Sequence, residues 1–123
     1  MTKFKRMSAL ITAAIISATA LVSTAGAYYD SCSYASFTWN NSGCTIKNTT
    51  NTSRYMTAYM YVYEKNTGVE IDYDYSDATG AYGTTATATN PTTHSSMNVY
   101  KWGGAIYNSA YPASGSAHTF SKA

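Results

Sequence analysis

The sequence predicts an all-β protein: a small antiparallel β-sandwich, or flattened barrel, stapled by one disulfide. Leu is absent after Leu21, while Thr, Tyr, Ser and Val are frequent, and these residues favour strands over helices. Short runs of alternating apolar and polar residues are separated by clusters of Asn, Gly, Pro and Ser, which form tight turns. Many short strands with brief turns in one small chain are typical of a two-layer antiparallel architecture.

Eight strands are predicted along the chain, with turn residues between them. Their bounds are Tyr34–Trp39, Cys44–Asn48, Arg54–Glu64, Val69–Ser76, Tyr82–Thr89, Ser95–Trp102, Ala105–Tyr107 and Ala117–Phe120. The predicted turns include Asn40–Gly43, Lys65–Gly68 and the pair Gly103-Gly104. Because no second domain or internal repeat stands out, we expect a single domain.

Residues 1–27 have the pattern of a cleaved secretory signal peptide of bacterial style. A basic head, Lys3–Arg6, precedes an apolar segment, Ala9–Val22, and small residues follow at Ala25–Ala27. Cleavage is expected before Tyr28. The apolar segment is shorter than the ~20 residues that span a membrane, so we expect a secreted, extracellular protein with no stable membrane anchor after cleavage.

The domain expected after cleavage, residues 28–123, carries little net charge. Cleavage would remove three of the eight basic residues and none of the six acids, so the formal charge falls from +2 to −1. The basic residues that stay lie far apart along the chain: Lys47, Arg54, Lys65, Lys101 and Lys122. The sequence therefore predicts no nucleic-acid partner, because such proteins cluster their positive charge.

Two cysteines, Cys32 and Cys44, lie in the expected mature domain. In an oxidising compartment the usual state of such a pair is a structural disulfide. The spacing is not the CxxC of redox enzymes, so a staple is expected rather than redox chemistry.

The stretch from Thr57 to Ser76 predicts a hairpin whose register decides which side chains share a face, since a slip of one residue exchanges the faces of one strand. A two- or four-residue loop places Val62 opposite Ile71. The predicted core stripe is then Ala58, Met60, Val62, Ile71 and Tyr73. The predicted outer face, a candidate binding surface, is Tyr59, Tyr61, Tyr63, Glu70, Asp72 and Asp74.

A second register is open to the same hairpin. A type I turn with a bulge at Gly68 would pair Val62 with Asp72. That pairing turns Asp72 and Asp74 toward the Met and Val face, where burying unpaired carboxylates costs several kcal/mol. Burial therefore favours the first register.

Catalytic and metal-binding motifs have little support in the sequence. There is no Gly-x-Ser-x-Gly elbow, and His94 and His118 have no diagnostic spacing. Asp72, Asp74 and Asp77 resemble the opening of a calcium loop, but the Gly and Glu required at its sixth and twelfth positions are missing. We expect no cofactor, no metal and no enzymatic activity.

One partial pattern is similar to a known family. The stretches Gly80-Ala81-Tyr82 and Val99-Tyr100-Lys101-Trp102, with a turn at Asn66-Thr67-Gly68, resemble the small secreted lactococcin-type bacteriocins, which have a β-sandwich fold. The resemblance implies growth inhibition of related bacteria through the cell envelope. The cysteine pair and the lack of a Gly-rich, Trp-containing beginning depart from that family.

The function expected from these patterns is extracellular binding without catalysis. Aromatic rings stack on sugars while carboxylates accept hydrogen bonds, and Tyr supplies contact area at low entropic cost, so a glycan or cell-envelope polymer is the expected partner. Two alternatives are a bacteriocin-like antibacterial protein and a matrix component that self-assembles through an unpaired edge strand.

Overall fold

Two four-stranded antiparallel sheets form the fold in the computed structural model, which describes residues 27–111 and 116–123. The strands are β1 (Tyr28–Ser31), β2 (Ala35–Asn40), β3 (Gly43–Asn48), β4 (Arg54–Glu64), β5 (Glu70–Gly80), β6 (Thr85–Thr89), β7 (Asn98–Tyr107) and β8 (Ala117–Lys122). No helix occurs within these described ranges, so the all-β prediction is confirmed. Residues 1–26 of the predicted signal peptide lie outside them.

The first sheet has the strand order β1-β2-β3-β6. Strand β1, which the sequence pattern missed, pairs with β2 from Tyr28 opposite Trp39 to Ser31 opposite Ser36. A tight turn joins β2 to β3, with Asn40 opposite Gly43. Gly43 has a φ of +153°, and a Cβ there would overlap the carbonyl oxygen of Ala88 on β6, so only glycine fits.

The second sheet has the order β5-β4-β7-β8. Its central strand β4 has the bounds predicted from the sequence. The turn predicted at Gly103-Gly104 is wrong, because both glycines lie inside β7, which runs without interruption from Asn98 to Tyr107. Glycine is required there for close packing: a Cβ on Gly103 would overlap the ring of Tyr59, and one on Gly104 would press on the carbonyl oxygen of Thr57.

The hydrophobic core lies between the inner faces of the two sheets. Strand β4 contributes alternate fully buried side chains, as expected for a period of two. These inward residues are Met56, Ala58, Met60 and Val62. Across the core, the rings of Phe37 from the first sheet and Phe120 from the second stack with centroids 5.0 Å apart. The predicted sandwich of antiparallel sheets is thus present.

The predicted disulfide between Cys32 and Cys44 is wrong, because both cysteines are free. Cys32 lies in the β1–β2 turn, where its N–H donates to the carbonyl oxygen of Ala35. Cys44 lies at the other end of the sheet, opposite Trp39. Ala35 and Trp39 are four positions apart on β2, or about 14 Å, whereas disulfide-bonded Cα atoms are within about 7 Å of each other.

Cys44 is instead a core residue. It is fully buried, and its Sγ donates to the carbonyl oxygen of Tyr59 on the facing sheet at 3.2 Å. Burial raises the pKa of its thiol to about 12, so the group is neutral at physiological pH.

Within the described ranges no helix has the length and apolar character needed to cross a membrane.

Candidate functional site: a tyrosine surface

The β4–β5 hairpin adopts the register that burial arguments disfavoured. Val62 lies opposite Asp72 and Tyr61 opposite Tyr73, and this pairing continues to the far end of both strands. A bulge between Val62 and Tyr63 then shifts the pairing by one residue, so that Tyr63 lies opposite Glu70. The register expected from the sequence is therefore wrong over most of the hairpin.

Glu64 explains the shape of the turn that joins the two strands. Its carboxylate accepts the N–H groups of Asn66 and Thr67, at 3.0 and 2.8 Å, and the Thr67 hydroxyl at 2.9 Å. Gly68 follows with a φ of +71°, and its N–H donates to the carbonyl oxygen of Glu64. These hydrogen bonds lower the pKa of Glu64, so the turn is held by an ionised carboxylate.

The observed register brings five tyrosines together on the outer face of the second sheet. We call this set the tyrosine surface: Tyr59, Tyr61, Tyr63, Tyr73 and Tyr75. All five side chains are half-buried. Tyr61 is central, because its ring centroid is 5.4 Å from that of Tyr59, 6.3 Å from that of Tyr63 and 5.3 Å from that of Tyr73. Tyr73 and Tyr75 stack at 6.4 Å.

Neighbouring strand β7 supports the tyrosine surface from beside β4. Gly103 lies opposite Tyr59, and the absence of a side chain lets the tyrosine ring lie over the glycine. At the other end of the surface, the Lys101 ammonium is 5.1 Å from the centroid of the Tyr63 ring. The rings thus pack against one another and against β7, which restricts their motion before any ligand arrives.

The acids predicted for this surface separate into two groups. Glu70 lies on the outer face opposite Tyr63 and is exposed. Asp72 and Asp74 point inward instead, and Asp74 is only 2% exposed. Of the predicted site residues, the structure therefore brings together Tyr59, Tyr61, Tyr63 and Glu70. It places Asp72 and Asp74 on the opposite, inner face of the sheet.

Tyr73 and Tyr75 are site residues that the expected register missed. The prediction that Tyr73 and Ile71 belong to the core is wrong, because Tyr73 is half-buried on the outer face and Ile71 is 49% exposed. The bulge between Val62 and Tyr63 moves them there, because one extra residue on β5, Ile71, turns both tyrosines to the face of Tyr61. The sequence around Ile71 has no glycine that would signal such a bulge.

Asp74 is buried where it can join the two sheets. Its Oδ2 accepts the N–H of Thr89, on β6 of the first sheet, at 2.9 Å, and lies 3.3 Å from the Thr89 hydroxyl. The cost of burying this carboxylate is thus offset by hydrogen bonds, because the carboxylate is paired with Thr89. Its role is structural rather than part of the surface.

Two tyrosine hydroxyls on the outer face of this sheet have raised pKa values. For Tyr61 the main cause is burial, followed by the charge of Glu70. For Tyr55, next to the tyrosine surface, burial and then its hydrogen bond to Asp77 at 3.1 Å raise the pKa to about 12. Both hydroxyls are therefore protonated donors at physiological pH.

The described residues offer little to a metal ion. Within residues 27–111 and 116–123, no group of three or more His, Cys, Asp and Glu side chains is arranged to hold one. Asp72 and Asp74 point inward, whereas Asp77 is exposed on the outer face and accepts from Tyr55, so the calcium-loop trio is not brought together.

Comparisons with known proteins add little to this picture. No protein-family model and no curated protein matches the chain. A solved structure with some similarity is the crystal structure of Bacteroides uniformis beta-glucuronidase, with 12% sequence identity and a TM-score of 0.34. The match covers 78% of this chain and 12% of that one, and a score this low carries no argument. The resemblance to bacteriocins stays a prediction.

Proposed function

We propose that the protein is a secreted, non-catalytic binding protein that holds a glycan or other cell-envelope polymer against the tyrosine surface. The observation that carries the proposal is the continuous contact of five half-buried tyrosine rings on one outer sheet face. Among the described residues the first strand begins at Tyr28, the residue after the expected cleavage point.

The chemistry of the tyrosine surface suits a polymer with apolar ring faces and many hydroxyls. Each tyrosine combines a large apolar ring with one hydroxyl, so the ring can stack and the hydroxyl can donate or accept a hydrogen bond. Glu70 adds a carboxylate acceptor at the margin, and Lys101 adds a donor. Packed rings lose little side-chain entropy on binding, so more of the contact energy appears as affinity.

A pull-down with insoluble polysaccharides tests the proposal. The insoluble polymers are cellulose, chitin, xylan, mannan and purified peptidoglycan. The protein incubated with each of them is the purified domain 28–123. We expect at least one polymer to retain the protein, and Tyr61→Ala to weaken retention about tenfold or more, as for a central aromatic hot spot.

The matched control is Tyr82→Ala. Tyr82 is 65% exposed and lies outside the tyrosine surface, so this variant should bind like the wild type. Circular dichroism and thermal unfolding check that both variants fold. The proposal would be overturned if none of the five polymers retained the protein. It would also be overturned if Tyr61→Ala were retained as strongly as the wild type.

A further inference from the structure

A hollow of about 640 Å³ opens at one end of the sandwich, where Val99, the residue opposite Tyr63, is part of its lining. This volume is within the roughly 300–1,000 Å³ of small-ligand sites. The residues around it come from the ends of several strands and from the turns beside them. They are Tyr28, Trp39, Asn41, Lys65, Ser96, Asn98, Val99, Tyr100, Trp102 and Ala123. None of them belongs to the tyrosine surface.

Aromatic rings from both sheets form the walls of this hollow. On the first sheet, Tyr28 stacks on Trp39 with centroids 5.6 Å apart and an angle of 27° between the ring planes. On the second sheet, the rings of Tyr100 and Trp102 are 6.0 Å apart. A ligand ring in the hollow would therefore meet apolar surface contributed by both sheets.

The first aromatic pair is held in place by an ion pair. The Lys122 ammonium is 5.2 Å from the centroid of Trp39 and 2.6 Å from the Asp30 carboxylate. Tyr28 is 63% exposed, so it presents an open surface while Trp39 supports it from behind. Such a ring is available for stacking without rearrangement of the core.

The second aromatic pair has its polar atoms already occupied. The indole N–H of Trp102 donates to the carbonyl oxygen of Asn40 at 2.8 Å. The Tyr100 hydroxyl accepts the N–H of Ser95 at 3.3 Å and lies 3.0 Å from Nδ1 of His94. Both side chains are largely buried, at 6% and 8% exposure, so their rings form the base of the hollow and hydrogen bonding to a ligand would come from other groups.

Those other groups are at the rim. The side chains of Asn41, Asn98, Ser96 and Lys65 line the hollow, and within the described residues no hydrogen bond or ion pair engages them. The two amides and the hydroxyl supply both donors and acceptors, while Lys65 supplies one cation. No Asp or Glu side chain lines the hollow among the described residues.

We propose that this hollow binds one pyranose ring of a carbohydrate. A pyranose has C–H faces that suit aromatic walls and peripheral hydroxyls that suit amide and hydroxyl partners, which is the combination found here. A nucleotide fits less well, because its phosphates would face only one lysine. The site does not depend on the proposed function, since it shares no residue with the tyrosine surface.

Tryptophan fluorescence tests this site directly, because the only two tryptophans in the sequence, Trp39 and Trp102, both line the hollow. The probes are hexasaccharides of glucose, N-acetylglucosamine, xylose and mannose, together with trigalacturonic acid. We expect a saturable change in emission with at least one probe. Tyr28→Ala and Asn98→Ala should each raise the apparent Kd about tenfold, as for groups in direct contact.

Tyr29→Ala is the matched control, since Tyr29 is adjacent, 67% exposed and not part of the lining. It should bind like the wild type, and so should Tyr61→Ala, which separates this site from the tyrosine surface. No saturable change with any probe, or equal affinities for Tyr28→Ala and Tyr29→Ala, would overturn the inference. Loss of binding in Tyr61→Ala alone would also overturn it, because the signal would then come from the tyrosine surface.

Discussion

Single residues decide how closely the strands of this protein approach one another. Gly43, Gly103 and Gly104 each occupy a position where a Cβ would overlap a neighbouring strand or its side chain. At Gly103 the space is filled by the Tyr59 ring, so a small residue on one strand sets the position of an aromatic residue on the next. Gly103 and Gly104, which the sequence predicts to form a turn, thus lie inside β7, where they allow close packing.

The hydroxyl of Tyr55 offers a prediction at this scale. Because its pKa in the folded protein, about 12, exceeds the ordinary value of 10.0, the stability it contributes is present below pH 10 and is lost as the pH rises through about 12. Asp77→Asn removes a hydrogen-bonded charge that favours the protonated form, so the pKa of Tyr55 should fall, while burial still holds it above the ordinary value.

Ultraviolet titration of tyrosinate measures this change. Subtracting the curve of Tyr55→Phe from that of the wild type isolates the Tyr55 transition, and the same subtraction with Asp77→Asn as background shows its shift. Identical midpoints in the two backgrounds would contradict the role given to Asp77.

At the scale of one element, the β4–β5 hairpin shows how one bulge determines which side chains share a face. The Glu64 hydrogen bonds and the positive φ of Gly68 shape the turn, and a bulge beside Val62 then fixes the register of the remaining strand. The result places Asp74 in the interior and Ile71 in solvent, against simple hydrophobic patterning. The interior carboxylate is tolerated because Thr89 supplies hydrogen bonds to it.

The register predicts opposite outcomes for two apolar residues of the hairpin. Met60 is fully buried, so Met60→Ala should lower the free energy of unfolding by about 2–5 kcal/mol. Ile71 is 49% exposed, so Ile71→Thr should change it by no more than about 0.5 kcal/mol. Urea denaturation followed by circular dichroism measures both values. A large loss from Ile71→Thr would mean that the hairpin pairs in the other register.

Across the whole molecule, polar contacts between the two sheets supplement the hydrophobic core. Cys44 donates to the carbonyl oxygen of Tyr59, Trp102 donates to that of Asn40, and Thr89 donates to Asp74. Each contact joins the first sheet to the second. Together they orient one sheet on the other, which apolar packing alone does only loosely because it is not directional.

Removing the Asp74 carboxylate should therefore destabilise the sandwich as a unit. Asp74→Ala leaves the Thr89 N–H without this acceptor, and we expect a loss of about 1–3 kcal/mol in the free energy of unfolding. Asp74→Asn keeps a carbonyl acceptor and should lose less. Urea unfolding at neutral pH gives both values, and equal losses in the two variants would show that the hydrogen bond to Thr89 is not the cause.

Much of the fold could be predicted from local patterns. The bounds of β4, its inward stripe of Ala58, Met60 and Val62, and the all-β class are all confirmed. The stripe follows from the period of two in a strand, which any short run of sequence displays. Three of the five residues of the tyrosine surface could be predicted for the same reason, since Tyr59, Tyr61 and Tyr63 alternate with that stripe.

The errors concern residues whose partners are distant in the chain. Gly103 and Gly104 resemble a turn until Tyr59 and Thr57 are placed beside them, and Cys32 and Cys44 resemble a disulfide until the β2–β3 pairing separates them. Asp74 resembles a surface acid until Thr89 is placed opposite it. Contacts of this kind depend on how strands pair, and residue order alone leaves that pairing open.

The sequence by itself determined that this chain forms strands and which side of β4 is apolar, because strand preference and alternation are properties of neighbouring residues. Only the tertiary structure decided the register of β5, which places Tyr73 and Tyr75 on the same face as the β4 tyrosines. It also decided that four aromatic residues line one hollow at the end of the sandwich. The physical reason is that one extra residue in a bulge exchanges the faces of a strand while leaving its local pattern unchanged.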